Sequence, residues 1–214
     1  MIGIIDYGMG NLRSVQKAFG LLGATAVILR SPGELDHVER VVLPGVGAFA
    51  DGMQHLTQRG WVQPFLRHIE SGKPTLGICL GMQLLFESSE EDAVSPDRPV
   101  VGLGVLPGRV VRFCGDQYGP GLKKVPHMGW NTIAWTRDDP LFAGLLDGPA
   151  VYFVHSYYAK PVEPATAAPI ASSFADYGGS FCASVWRENI WATQFHPEKS
   201  QRVGLHMLRN FVAT

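Results

Sequence analysis

Pro74-Thr75-Leu76-Gly77-Ile78-Cys79-Leu80-Gly81-Met82-Gln83-Leu84-Leu85-Phe86-Glu87 is the stretch whose reading decides the fold. The apolar run 74–78 reads as a buried strand, and Met82 to Glu87 reads as the start of a helix reaching to about residue 88. Between them Gly77-Ile78-Cys79-Leu80-Gly81 has the form glycine, any residue, nucleophile, any residue, glycine. A sharp strand-to-helix turn leaves little room beside the nucleophile, so both flanking positions are glycine. Such a turn lifts the side chain out of the sheet to a helix N-terminus. Backbone N–H groups there favour thiolate over thiol. The competing reading is a buried strand cysteine followed by an ordinary glycine turn, and free cysteines are among the most buried residues.

Working outward, apolar runs near 2–5, 25–29, 41–43 and 75–78 alternate with amphipathic segments near 11–22, 51–58, 61–71 and 80–88. That alternation predicts a mostly parallel central sheet with helices on both faces, an α/β fold. Residues 87–99 are acidic and proline-containing and read as a surface loop. Strand-like runs follow at 105–113, 131–135, 151–157, 168–174, 181–186 and 190–195, several separated by Gly/Pro turns, which adds antiparallel strands. Residues 199–212 read as a closing helix, with Leu205, Leu208 and Val212 at helical spacing. No linker divides the chain, so residues 1–214 are expected to form one domain.

Composition narrows the function. A net charge of −1 removes the electrostatic case for nucleic acid or an anionic membrane. No apolar run approaches the roughly 20 residues that span a bilayer. The three cysteines, at 79, 114 and 182, have no metal-ligand spacing and suit a reducing cytoplasm better than a disulfide framework. The N-terminus opens on a strand and lacks the basic and cleavage regions of a signal peptide. The expectation is a cytoplasmic protein with no metal and no cofactor.

A second motif is Gln194-Phe195-His196-Pro197-Glu198. His196 falls at the end of the last strand run, and Pro197 stops that run by removing a backbone donor. A cysteine nucleophile needs a base that takes its proton and returns it to a leaving amine, and imidazole suits that task near neutral pH. Glu198, two residues on, can orient the ring through its other nitrogen. A strand-end histidine beside a surface glutamate is the competing reading. Cys79 and His196 are paired because both end strands of one α/β sheet, where active sites of such folds gather.

Together these motifs resemble the class I, or triad, glutamine amidotransferases. Asp6-Tyr7-Gly8-Met9-Gly10-Asn11, Leu43-Pro44-Gly45-Val46-Gly47, Pro126-His127-Met128-Gly129-Trp130-Asn131 and Tyr152-Phe153-Val154-His155-Ser156-Tyr157-Tyr158 narrow the resemblance to the glutaminase subunits of imidazole glycerol phosphate synthases. It runs end to end and implies the class I glutamine amidotransferase fold. It also implies hydrolysis of L-glutamine to glutamate and ammonia through a thioester on Cys79, with His196 moving protons and Glu198 orienting it. Gly45, Val46 and Gly47 would supply one oxyanion donor and the Leu80 amide the other. Gln83 and the backbone of Ser156 and Tyr157 would contact the substrate glutamine. Asn11, Trp130 and Lys199, with the 7–11 segment, would face the partner. That partner would be a separate barrel cyclase subunit, making a heterodimer. It would use the ammonia to make imidazole glycerol phosphate and aminoimidazole carboxamide ribonucleotide in histidine biosynthesis. A paralogous amidotransferase feeding another synthase, or a non-catalytic binding module on the same fold, are the alternatives. His155 reads as a core histidine, His127 as structural or interfacial, and His37, His55, His68 and His206 carry no signal.

Overall fold

The structure is a computed structural model that describes residues 1–95, 97–163 and 168–214. Its first half alternates as expected: β1 (Ile2–Ile5), α1 (Leu12–Leu21), β2 (Ala26–Leu29), a 3₁₀ turn at Pro32–His37, β3 (Arg40–Gly45), α2 (Phe49–Gln58), α3 (Val62–Glu70) and β4 (Thr75–Cys79). A single helical turn, α4 (Leu80–Leu84), follows. Then come β5 (Phe86–Ser89), β6 (Val100–Val101), β7 (Leu106–Arg112), β8 (His127–Thr132) and β9 (Ala134–Trp135). The chain ends with β10 (Ala150–His155), β11 (Tyr157–Pro161), β12 (Ala171–Asp176), β13 (Ser180–Arg187), β14 (Ile190–Thr193), a 3₁₀ turn at Pro197–Lys199 and α5 (Gln201–Ala213).

The main sheet runs β2-β1-β3-β4-β14-β13-β12-β9. From β2 to β14 neighbours are parallel, and β13, β12 and β9 are added antiparallel. The central strands β1 and β4 are buried along their whole length, which is why they read as continuous apolar runs. Successive residues point to opposite faces. Ile5 and Leu43 enter the core beneath α2 and α3 with Phe49, Trp61 and Phe65. Ile4 and Val42 enter the other core, where Phe19 of α1 meets Phe211 of α5 at 6.4 Å between ring centroids. A smaller sheet, β11-β7-β5-β6, and the antiparallel pair β10–β8 flank this body. No helix is long and apolar enough to cross a membrane among the described residues.

Several sequence expectations are corrected. The helix expected over 80–88 stops at Leu84, and Phe86–Ser89 is a strand. The amides of Gly102, Leu103, Gly104 and Val105 capture the carbonyls of Glu87, Leu84, Phe86 and Leu85 at 2.8–3.1 Å, so these carbonyls are not free for helical bonds. Segment 87–99 therefore begins inside a sheet rather than as a loop, and Pro96 lies outside the described residues. The run 131–135 is two strands in different sheets, broken at the buried Ile133. The run 151–157 also splits, at Ser156, because β10 pairs with β8 whereas β11 pairs with β7. The last strand ends at Thr193 rather than 195, because the His196 amide leaves the sheet to bond the Tyr152 carbonyl at 2.9 Å.

Candidate active site

Cys79 is the final residue of β4 and holds φ 54°, ψ −109°, a left-handed backbone that an L-residue adopts only under constraint. The constraint is packing on both sides. A Cβ on Gly77 would lie 2.9 Å from the Gly81 carbonyl oxygen, and one on Gly81 would lie 1.8 Å from that of Leu43. The expected elbow is therefore present, with α4 reduced to one turn. With α4 only five residues long, the sulfur has little helix dipole behind it.

His196 lies three residues beyond the end of β14, which pairs in parallel with β4, so both side chains emerge at the same sheet end. Its Nδ1 meets Glu198 Oε1 at 2.8 Å, and each side chain is only 2% exposed. Among the described residues Nε2 is buried without a hydrogen-bond partner, as is Glu198 Oε2. Burial alone would push the imidazole down, but the adjoining Cys79 sulfur and Glu198 carboxylate override it and push it up to about 10.

The sulfur opens onto a cavity of about 240 Å³ walled by Val46, Gly47, Leu80, Gln83, Glu91, Pro126 and residues 154–157. That volume suits a small polar molecule and lies below the roughly 300–1,000 Å³ of drug-sized pockets. Gly45 pairs with Cys79 in the sheet register, Gly47 takes φ 112°, and Leu80 begins α4, so the expected oxyanion residues ring the nucleophile. Gln83, one turn after Cys79, is buried. Its Nε2 donates to the Tyr157 carbonyl and to Gln194 Oε1, each at 2.9 Å, which leaves its carbonyl oxygen for a ligand. Ser156 and Tyr157 line the cavity, with their carbonyls already bonded to the Phe113 amide and to Gln83.

The remaining expectations divide. Trp130 is 49% exposed on β8 and stands edge-on to Tyr152 at 6.0 Å, while Lys199 Nζ sits 5.9 Å above the same ring. These form one surface patch, and Tyr152 is its unpredicted centre. Asn11 is exposed and caps α1 through Ser14, at 3.4 Å. Tyr7, grouped with that surface by sequence, is fully buried in the core, its hydroxyl pressed against Gly45. His155 and His127 are buried partners, 3.1 Å apart, with His155 Nδ1 on the Tyr157 carbonyl at 2.8 Å. Burial pushes His127 down to about 4 and His155 down to about 3, so both are neutral.

Two site residues escaped sequence reading. Glu91 enters the cavity wall while accepting the Phe49 amide at 2.8 Å, and burial pushes its carboxyl up. Gln194, fully buried, donates through Nε2 to Cys79 Sγ at 3.6 Å. Its place two residues before His196 was the available signal.

The family model described as Glutamine amidotransferase class-I matches residues 3–214. The chain is 56% identical over 212 residues to "Imidazole glycerol phosphate synthase subunit HisH" of Syntrophotalea carbinolica, covering 99% of this chain and 98% of that protein. It is 52% identical to the protein of the same name from Geobacter sulfurreducens, covering 98% and 97%. Among solved structures, one titled "Crystal structure of glutamine amidotransferase" superposes with TM-score 0.70 at 19% identity, covering 99% of this chain and 97% of that one. PurLQS from Thermotoga maritima gives 0.73 at 14% identity, with the same coverage. These two likenesses speak to the fold.

Proposed function

The chain belongs to the class-I glutamine amidotransferase family, and from that premise we propose that it is the glutaminase subunit of an imidazole glycerol phosphate synthase. The observation that carries the reaction is the buried His196–Glu198 pair at 2.8 Å, set beside a cysteine in a strained elbow on an amino-acid-sized cavity.

In this reading the proton that leaves Cys79 rests on His196, which Glu198 keeps as imidazolium. The sulfur attacks the side-chain amide carbon of L-glutamine. Amides of the 45–47 loop and of Leu80 stabilise the oxyanion. His196 returns its proton to the departing nitrogen, and ammonia leaves. Water, deprotonated by His196, then cleaves the γ-glutamyl thioester to glutamate. The Glu91 carboxylate and the Gln83 carbonyl oxygen are suited to the substrate α-ammonium. The relatives' names describe a subunit, which supports a partner, and we assign that partner as a separate barrel cyclase. The exposed Trp130–Tyr152–Lys199 patch is the docking surface we assign to it, because an exposed tryptophan braced edge-on by a second aromatic makes a strong anchor.

Glutamate release is to be measured for the chain alone, with the cyclase, and with cyclase plus its nucleotide ligand. Imidazole glycerol phosphate formation is followed in parallel. The expected result is a slow lone chain and a liganded complex in which both products form together. A complex that releases no glutamate, or releases it without forming imidazole glycerol phosphate, overturns the assignment.

A further inference from the structure

Beyond the catalytic set, a polar chain of side-chain amides reaches the nucleophile, whose sulfur also lies 3.9 Å from the Val154 carbonyl. The Tyr157 carbonyl accepts from Gln83 Nε2 at 2.9 Å, the same nitrogen donates to Gln194 Oε1 at 2.9 Å, and Gln194 Nε2 donates to Cys79 Sγ at 3.6 Å. All of it is buried: Gln83 is 5% exposed and Gln194 0%.

The direction of this chain is settled by its fixed end. A backbone carbonyl can only accept, so Gln83 must turn its NH₂ toward Tyr157. That NH₂ also faces Gln194, so Gln194 must answer with its carbonyl oxygen. Reversing Gln194 alone would set two donors against each other, and reversing both amides would set an oxygen against the Tyr157 oxygen. Gln194 is therefore left with only N–H to present to the sulfur. Its own backbone is pinned, since the Gln194 amide bonds the Ala183 carbonyl of β13 at 2.8 Å.

We propose that Gln194 is a positioning residue for the reaction: its side-chain N–H aims the Cys79 sulfur and favours the thiolate, with Gln83 fixing which end of the amide does so. This rests on the reading of Cys79 as the nucleophile. A donor stabilises an anion far more than a neutral thiol, and the effect is large where water is excluded. Gln194 shares one short segment with His196, so the sulfur's donor and its base are carried by a single rigid element.

The test uses the full chain in complex with its cyclase, as wild type, Gln194→Met and Gln194→Glu. Met keeps the length and loses the donor. Glu keeps an oxygen acceptor for Gln83, so it preserves that buried contact while losing the donor. The first readout is the pH dependence of Cys79 alkylation by iodoacetamide, followed by mass spectrometry of the Cys79 peptide. The second is kcat and KM for glutamine. For Gln194→Met the alkylation midpoint should rise by about one pH unit and kcat should fall about tenfold with KM little changed. For Gln194→Glu the midpoint should rise further. Thermal melting identifies which variants are folded, and either folded variant decides the matter. An unchanged midpoint in folded variants overturns the proposal even if kcat falls, since the side chain would then only pack. Cys79→Ser is run alongside. If that variant still hydrolyses glutamine, the nucleophile reading fails and takes this inference with it. If it is dead while the Gln194 variants keep the wild-type midpoint, only this inference fails.

Discussion

A methyl group placed on Gly81 would sit 1.8 Å from the Leu43 carbonyl oxygen. The turn that carries Cys79 is therefore pressed against the backbone of the neighbouring strand, and no rotamer change can relieve the overlap. Gly81→Ala should lose about 3 kcal/mol or more of stability. Gly20, near the end of α1, has nothing within 4 Å of where its Cβ would be. Gly20→Ala should gain up to about 1 kcal/mol from helix propensity. Urea unfolding midpoints compare the two, and a Gly81→Ala variant as stable as wild type would contradict the packing argument.

Cys79→Ser should abolish glutamine-dependent synthesis by the complex and leave ammonia-dependent synthesis intact. A hydroxyl is a far weaker acid than a thiol, so His196 cannot keep it ionised. Both activities are measured on one preparation with either nitrogen source. Near-normal glutamine turnover by the serine variant would remove Cys79 from its role.

Glu198→Gln should cost much less than His196→Ala. The amide oxygen can still accept from Nδ1 across the 2.8 Å contact, but it cannot offset the imidazolium charge. Loss of the orienting carboxylate in serine enzymes costs about 10⁴ in kcat. A sulfur that ionises more readily needs less help, so the expected loss is smaller. Steady-state glutaminase assays rank the variants, and equal losses would refute the ordering.

Folding stability should fall as pH drops from 7 to 5.5. Burial depresses His68 and His127 to about 4 and His155 to about 3, below their unfolded value near 6.5. Between those limits the unfolded chain binds more protons, so stability is present above about 6.5 and lost as pH falls. Three such groups give a loss of about 2–4 kcal/mol. Glu91, pushed up by burial, acts in the opposite sense at the acid end. His196, raised to about 10, is already protonated in the folded chain while its unfolded form gains its proton across this window, so it acts in the opposite sense and offsets part of the loss. Urea midpoints at pH 7 and 5.5 check this, and identical values would rule out neutral buried histidines.

Much of the site was legible because its signals are local. The elbow needs glycines two residues either side of Cys79 whatever the surroundings, and His196 and Glu198 lie within one short motif. Glu91 was hidden because a glutamate in an acidic stretch looks the same whether it is solvated or lines a cavity. Gln83 was placed at the substrate only by the family resemblance, because a polar side chain does not announce a distant carbonyl that will satisfy it. Gln194 sat inside a recognised motif, but its role depends on Gln83 and Cys79, both more than a hundred residues earlier.

The amino-acid sequence by itself determined the parallel α/β frame, the elbow at Cys79 and the pairing of His196 with Glu198. Buried parallel strands must be continuously apolar, and tight turns admit few residue types. Only the tertiary structure decided where α4 stops, how 127–135 and 150–161 divide between sheets, and which polar side chains turn inward. Those outcomes depend on which backbone groups arrive from elsewhere. Leu84 ends a helix because the amides of residues 102–105 take the carbonyls at the helix end, and Gln194 faces the sulfur because the Tyr157 carbonyl orders the amide chain that ends there.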